Sequence, residues 1–233
     1  MSKSTIIIIA LATMALLAGP APAQTQYRFE VFGAADIPSD NDFEITVPQS
    51  SVPIMGTHQF SPGVRGGIRL GADGQGHWGQ DLIYSYGTNS SKIVNHNTGA
   101  SFAFTNGIHQ FSYNALLYPG GSDPQKRCLP YVTAGLGGTI FTLSQSAKNE
   151  ALDPNRQGLG EMSNRSLLAF NAGIGAIIRL DGRHGVRLDV RDTMSQPPRY
   201  GLPKSSNDPA VTVFPVHGLF HELQASIAFL CYF

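Results

Sequence analysis

Few residues of this 233-residue chain stand where they could do chemistry. His109, Ser112 and Asn114 come nearest to a nucleophile and its base. A base must lie within hydrogen-bond reach of the group it activates. Residues three apart on a strand point to opposite faces, so His109 and Ser112 are predicted to be separated. His217 and His221, four apart, have the spacing of metal ligands on a helix but not on a strand or loop, and they read as rim histidines. The glycines of Ala134-Gly135-Leu136-Gly137-Gly138 lack the Lys-Ser/Thr pair of a phosphate loop and read as small residues making room for inward neighbours. No catalytic residue, metal site or cofactor is expected.

Charge is the remaining chemistry, and it recurs with period two. Arg28 and Glu30 are two apart, and Arg187, Asp189 and Arg191 alternate. Arg65, Arg69, Asp81, Arg179 and Glu222 each fall on the polar side of an alternating run. These residues are interleaved with glycine rather than with the Lys, Glu and Thr of a solvated surface. The pattern suits a narrow interior in which every ion is buried and partnered.

The elements that must hold these residues are strands. Eight alternating runs cover 26–33, 62–71, 77–87, 108–118, 129–142, 167–180, 185–192 and 222–233. In the first, Tyr27, Phe29 and Val31 oppose Arg28, Glu30 and Phe32. In the seventh, Val186, Leu188 and Val190 oppose Arg187, Asp189 and Arg191. The gaps alternate in length: long at 34–61, 88–107, 143–166 and 193–216, short at 72–75, 119–128 and 181–184. In an up-and-down barrel alternate connections share an end, so one end carries tight turns and the other long loops, as in transmembrane barrels. Within the second long gap, 92–94 and 101–104 form a candidate hairpin that extends the third and fourth strands, and a ten-strand count is the alternative.

Alternation does not say which face points outward. A soluble ligand-binding barrel would place the apolar stripe inside. The charge pattern opposes that, and so do the aromatics towards strand ends, among them Tyr27, Trp78, Tyr86 and Phe233, which resemble the girdles of a membrane interface. The apolar faces are therefore predicted to meet lipid. An eight-strand interior is only wide enough for side chains, so a plug of Arg, Asp, Glu, Asn and Gln is expected rather than an open pore.

At the start of the chain, Lys3, the apolar run 6–17 and Gly19-Pro20-Ala21-Pro22-Ala23 have the form of a cleaved signal peptide over 1–23, leaving the barrel as 24–233. The apolar run breaks after about a dozen residues, short of the roughly 20 of an anchor helix. Charged residues make up 14% and net charge is zero, with basic residues scattered, so no nucleic-acid partner is expected. Cys128 and Cys231 fall near the same end on strands that are not neighbours. A bridge between them would require the turn before Cys128 to fold across the mouth.

The last run, Glu222 to Phe233, alternates to its end and stops on an aromatic. With the signal sequence and the strand-loop rhythm, it resembles the small bacterial outer-membrane β-barrel family that includes the transmembrane domain of OmpA. The resemblance implies a Gram-negative outer-membrane location and contact with outer-membrane lipid and lipopolysaccharide. It also implies insertion by the barrel-assembly machinery, with Ile227, Phe229 and Phe233 as the terminal assembly signal. Three roles are in view. The first is a structural or surface-interaction barrel acting through long extracellular loops towards an unnamed ligand. The second is a narrow porin-like channel for small or hydrophobic solutes, and the third a lipid-modifying enzyme. The first is preferred, and no enzyme is expected.

Overall fold

Strict alternation over a dozen residues commits a chain to a pleated strand with one apolar and one polar face. Among the described residues there are ten strands, eight of them long, and one short helix. They are β1 (Gln26–Pro38), β2 (Asn41–Ile45), β3 (Ile54–Phe60), β4 (Gly63–Asp73), β5 (Trp78–Asn95), β6 (Ser101–Leu117) and β7 (Cys128–Leu143), then the helix α1 (Gln145–Leu152), then β8 (Arg165–Arg179), β9 (His184–Ser195) and β10 (Phe220–Tyr232). The computed structural model describes residues 25–45, 54–74, 76–153, 160–208 and 211–233; the expected signal peptide lies outside them.

Eight of the strands close a barrel, each antiparallel to its sequence neighbours in the wall, in the circular order β4-β1-β10-β9-β8-β7-β6-β5. The closing seam runs from Arg28↔Tyr232 to Pro38↔Glu222 between the first and last strands. The turn end carries the connections 74–77, 118–127 and 180–183, as the spacing of the runs predicts. At that end the Phe233 N–H donates to the Tyr27 carbonyl at 3.1 Å, and the two rings stack at 6.2 Å.

The loop end differs from the expectation in two ways. The segment 88–107 is not a long loop: β5 and β6 continue past the barrel rim as one ladder, pairing up to Val94↔Ser101. The candidate hairpin of 92–94 with 101–104 is the tip of this ladder, and its outward residues Thr88, Ser90 and Lys92 are polar and exposed. The first long gap also holds two further strands. β3 adds to the β5 extension from Gly56↔Asn95 to Phe60↔Ser91, and β2 pairs with β3. The sheet therefore has ten strands while the barrel has eight, and the extra pair comes from the first loop rather than the second.

These pieces form a cap across the mouth. Phe43 of β2, Phe60 of β3, Ile93 of β5 and Phe102 and Phe104 of β6 gather with Tyr200, Phe214 and Phe220 in one buried apolar cluster. Helix α1 contributes Ala147 and Ala151, four apart on one face, and Ser144 caps it by accepting the Ala147 N–H at 3.1 Å. At the turn end a second apolar cluster, including Leu116, Tyr118, Tyr131, Leu230 and Tyr232, forms a floor.

Candidate functional site

Between floor and cap, the inward faces of the strands bring the charged residues together. Arg28, Glu30, Asp81 and Arg187 are at most 1% exposed. Arg28 Nε lies 2.8 Å from Glu30 Oε1, and its two terminal nitrogens meet Asp73 and Asp81. Arg187 Nη1 bridges Glu30 at 3.0 Å and Asp81 at 2.8 Å. Its Nε donates to the Tyr131 hydroxyl at 2.6 Å, which in turn donates to Asp189 Oδ2 at 2.5 Å.

Asp189 also faces Arg191 at 3.3 Å and Arg69 at 3.6 Å, and Arg69 reaches Glu30 Oε2 at 3.4 Å. Nearer the cap, Arg65 Nε pairs with Asp36 at 2.7 Å and its Nη2 with Glu222, while Gln224 donates to Asp36 and Gln110 to Glu222. Buried ions must be paired to be tolerated, and here each carboxylate meets at least one guanidinium and a second donor, which for Asp73 is the Tyr118 hydroxyl.

Arg179 departs from the expectation. It is buried but lies apart from this network, at the floor, donating to the Pro124 carbonyl at 2.6 Å and to Gln26 at 3.1 Å, with its guanidinium over the Tyr232 ring. Two acids that the sequence reading left out, Asp36 and Asp73, belong to the network. Parity could have found both: Asp36 shares a face with Arg28 and Glu30, and Asp73 with Arg65 and Arg69. Both lie beyond the predicted runs, which end at 33 and 71, whereas β1 continues to Pro38 and β4 to Asp73.

The inward glycines make room for these side chains. A Cβ at Gly71 would strike the Arg28 guanidinium, and one at Gly175 the Tyr131 hydroxyl. A cavity of about 20 Å³ beside Arg191 is lined by Ser85, Gln110, Thr139 and Asn171, room for a water or two but not for a solute.

The other candidate groups do not assemble into a catalytic set. His109 is on the outer face, its Nδ1 3.1 Å from the Tyr84 hydroxyl, whereas Ser112 points inward and accepts from Asn114 at 3.1 Å. His221 Nδ1 pairs with Asp192 at 2.8 Å on the exterior. Cys128 and Cys231 are both free thiols. Among the described residues no group of three or more His, Cys, Asp or Glu is placed to hold a metal. In the β8–β9 turn, the exposed Asp181 carboxyl is held down at about 2, chiefly by the Arg183 and His184 backbone N–H groups and the His184 ring.

The exterior completes the inversion. Phe29, Val31, Ile174, Val190, Ile227 and Phe229 are each 40% exposed or more, while Arg65 and Arg187 are sealed within. From Tyr27 to Ile37 the outward stripe of β1 runs about 33 Å along the strand, about 25 Å of height at a typical tilt, which is the apolar band of a transmembrane barrel. No protein-family model matches the chain, and no curated protein matches it. Among solved structures, the outer membrane protein OprG from Pseudomonas aeruginosa superposes with a TM-score of 0.57 at 16% identity, covering 89% of this chain and 95% of OprG.

The fold is that of the small outer-membrane β-barrels. Neisserial surface protein A is more distant in shape, with a TM-score of 0.42 at 12% identity over 88% of this chain and 97% of its own. The N-terminal β-barrel domain of Pseudomonas aeruginosa OprF gives 0.38 at 14% identity over 89% and 99%. Within this fold the terminal residues Ile227, Phe229 and Phe233 all stand on the lipid-side face, and Phe233 is the most exposed of the three at 76%.

Proposed function

We propose that this protein is an integral barrel of a bacterial outer membrane that works through its loop-end cap, as a structural or surface-interaction protein, and carries no solute through its lumen. The observation that supports this reading is the double closure of the lumen. A network of paired ions fills its middle, and an aromatic cluster covers its mouth. In this reading the wall contacts lipid and lipopolysaccharide, and the assembly machinery recognises the C-terminal strand through Ile227, Phe229 and Phe233. The placement of His109 and Ser112 on opposite sides of the wall argues against a lipid-modifying enzyme. The test is reconstitution of the folded protein in a planar bilayer, with protease shaving of intact cells in parallel. The expected result is a bilayer without discrete conductance steps and cleavage confined to the loop end. Regular steps of one size would overturn the sealed-lumen reading and favour a narrow channel.

A further inference from the structure

The cap holds a ring whose two nitrogens its surroundings do not satisfy. His58, on β3, is fully buried, and neither ring nitrogen has a hydrogen-bond partner. Its ring is enclosed by aromatic rings from three parts of the chain. Phe60 of the same strand lies at 4.2 Å between centroids, Phe214 at 5.5 Å, Tyr200 at 5.9 Å and Phe104 of β6 at 6.4 Å. A buried imidazole without partners is tolerated only while neutral, because an unpaired charge among apolar rings carries a large desolvation penalty.

The two ladders on the strand that carries it are the shortest in the sheet. β3 pairs with the barrel sheet over five residues, Gly56↔Asn95 to Phe60↔Ser91, with the His96 and Asn97 contacts of Met55 beside them, and β2 is held through β3, the bridge Phe43↔Val216 and the Asn41 side chain on the Leu219 carbonyl. Short peripheral ladders open locally at lower free energy than the barrel wall does. Tyr200, which closes the cage, keeps a left-handed backbone at φ 48°, a conformation that a bulky residue holds only when packing imposes it.

We propose that His58 is an acid-released latch on the mouth of the barrel: a proton taken up by its ring expels it from the aromatic cage, and the β2–β3 hairpin lifts with it. This rests on the geometry of the cap and not on the cap's binding a partner. Burial holds the imidazole at about 3, against an ordinary value of about 6.5. A group whose closed-state value is lowered binds protons better in the open state. Its contribution to closure is therefore complete above about pH 6.5 and drains as pH falls towards 3. Between those limits the open fraction rises by up to tenfold per pH unit.

Of the titratable groups on the elements around the ring, Tyr200 touches it, and burial pushes that phenol above its usual range, so it stays neutral. Asp42 and Glu44 of β2 and Lys92 of β5 are exposed on the outward side of their strands, and Lys204 and Asp208 of the connection before β10 are also exposed. His96 lies on the outer side of β3, 3.1 Å from the Thr57 hydroxyl, which donates to Asp42. It and the exposed His217, whose carbonyl accepts from Asn41 of β2, are further imidazoles close to the hairpin, so His217→Gln is a control alongside His96→Gln.

The test uses the full chain folded into lipid nanodiscs, with hydrogen exchange followed from pH 7 to pH 4 and corrected for the intrinsic pH dependence of exchange. Protection of 41–45 and 54–60 is expected to fall towards tenfold per pH unit while β8 and β9 hold theirs. His58→Phe, which fills the cage without an ionisable group, is expected to abolish the response, and His96→Gln and His217→Gln to leave it intact. An equal response in His58→Phe, no response in the wild type, or loss of the response in His96→Gln or His217→Gln would each overturn the latch. Should His58→Phe fail to fold, the NMR titration of the wild-type imidazole decides. A midpoint below the ordinary value that coincides with loss of hairpin protection supports the latch. A ring that protonates at or above pH 6.5 with the hairpin still protected, held by the π faces around it, overturns it.

Discussion

At the scale of the residue, the interior is decided by which ions share partners. Asp189 lies against Arg69, Arg187 and Arg191 and accepts from Tyr131, so Asp189→Ala leaves the buried Arg191 without a carboxylate and takes one from Arg69 and Arg187, which keep Glu30. Breaking a buried pair from one side typically costs about 3 to 5 kcal/mol, far more than an exposed pair is worth. The variant is expected to lose its compact band at a markedly lower temperature in a heat-modifiability gel. An unchanged transition would mean that the carboxylate is solvated. Parity alone made the inward position of Asp189 legible. It could not make its partners legible, because Arg69 and Tyr131 reach it across the lumen from strands that are not neighbours of β9.

Elements set how closely those residues approach. In the β6–β7 ladder, Gly137 pairs with Ser112, and a Cβ there would strike the Phe111 carbonyl and the Ser112 backbone, atoms that cannot swing away. Gly137→Ala is expected to destabilise the wall by about 1–3 kcal/mol. Gly33→Ala, where a Cβ would meet nothing within 4 Å, is expected to be near neutral. Urea midpoints of the two variants measure the contrast, and equal midpoints would refute it. The eight wall strands were readable because each buries one face and exposes the other over many residues. β2 and β3 were not: β2 is only five residues long, and β3 carries Gly56 and His58 where a strand pattern calls for alternation. β3 pairs with the β5 extension, and β2 with β3, only because that extension offers an edge.

For the whole molecule, the exterior is stable only in the right solvent. Ile174 is 63% exposed near the middle of the β8 stripe. On a soluble barrel, an arginine at so open a position would cost within about 0.5 kcal/mol. In a bilayer midplane the cost is about 2–4 kcal/mol. Ile174→Arg refolded into lipid vesicles is therefore expected to lose about that much stability, read from the urea midpoint. A neutral substitution would contradict a lipid-facing wall.

Period two, read residue by residue, determined which side chains share a face, how many strands close the wall and which end carries the loops. Those properties follow from local backbone geometry and need no knowledge of distant contacts. Only the folded molecule decided that Arg65 meets Glu222, 157 positions away, that Arg179 serves the floor rather than the ion network, and that the first loop folds back to cage His58 under an aromatic cap. Each of these depends on the curvature that brings opposite walls of a closed sheet within reach. Alternation along one strand carries no information about what stands across the lumen from it.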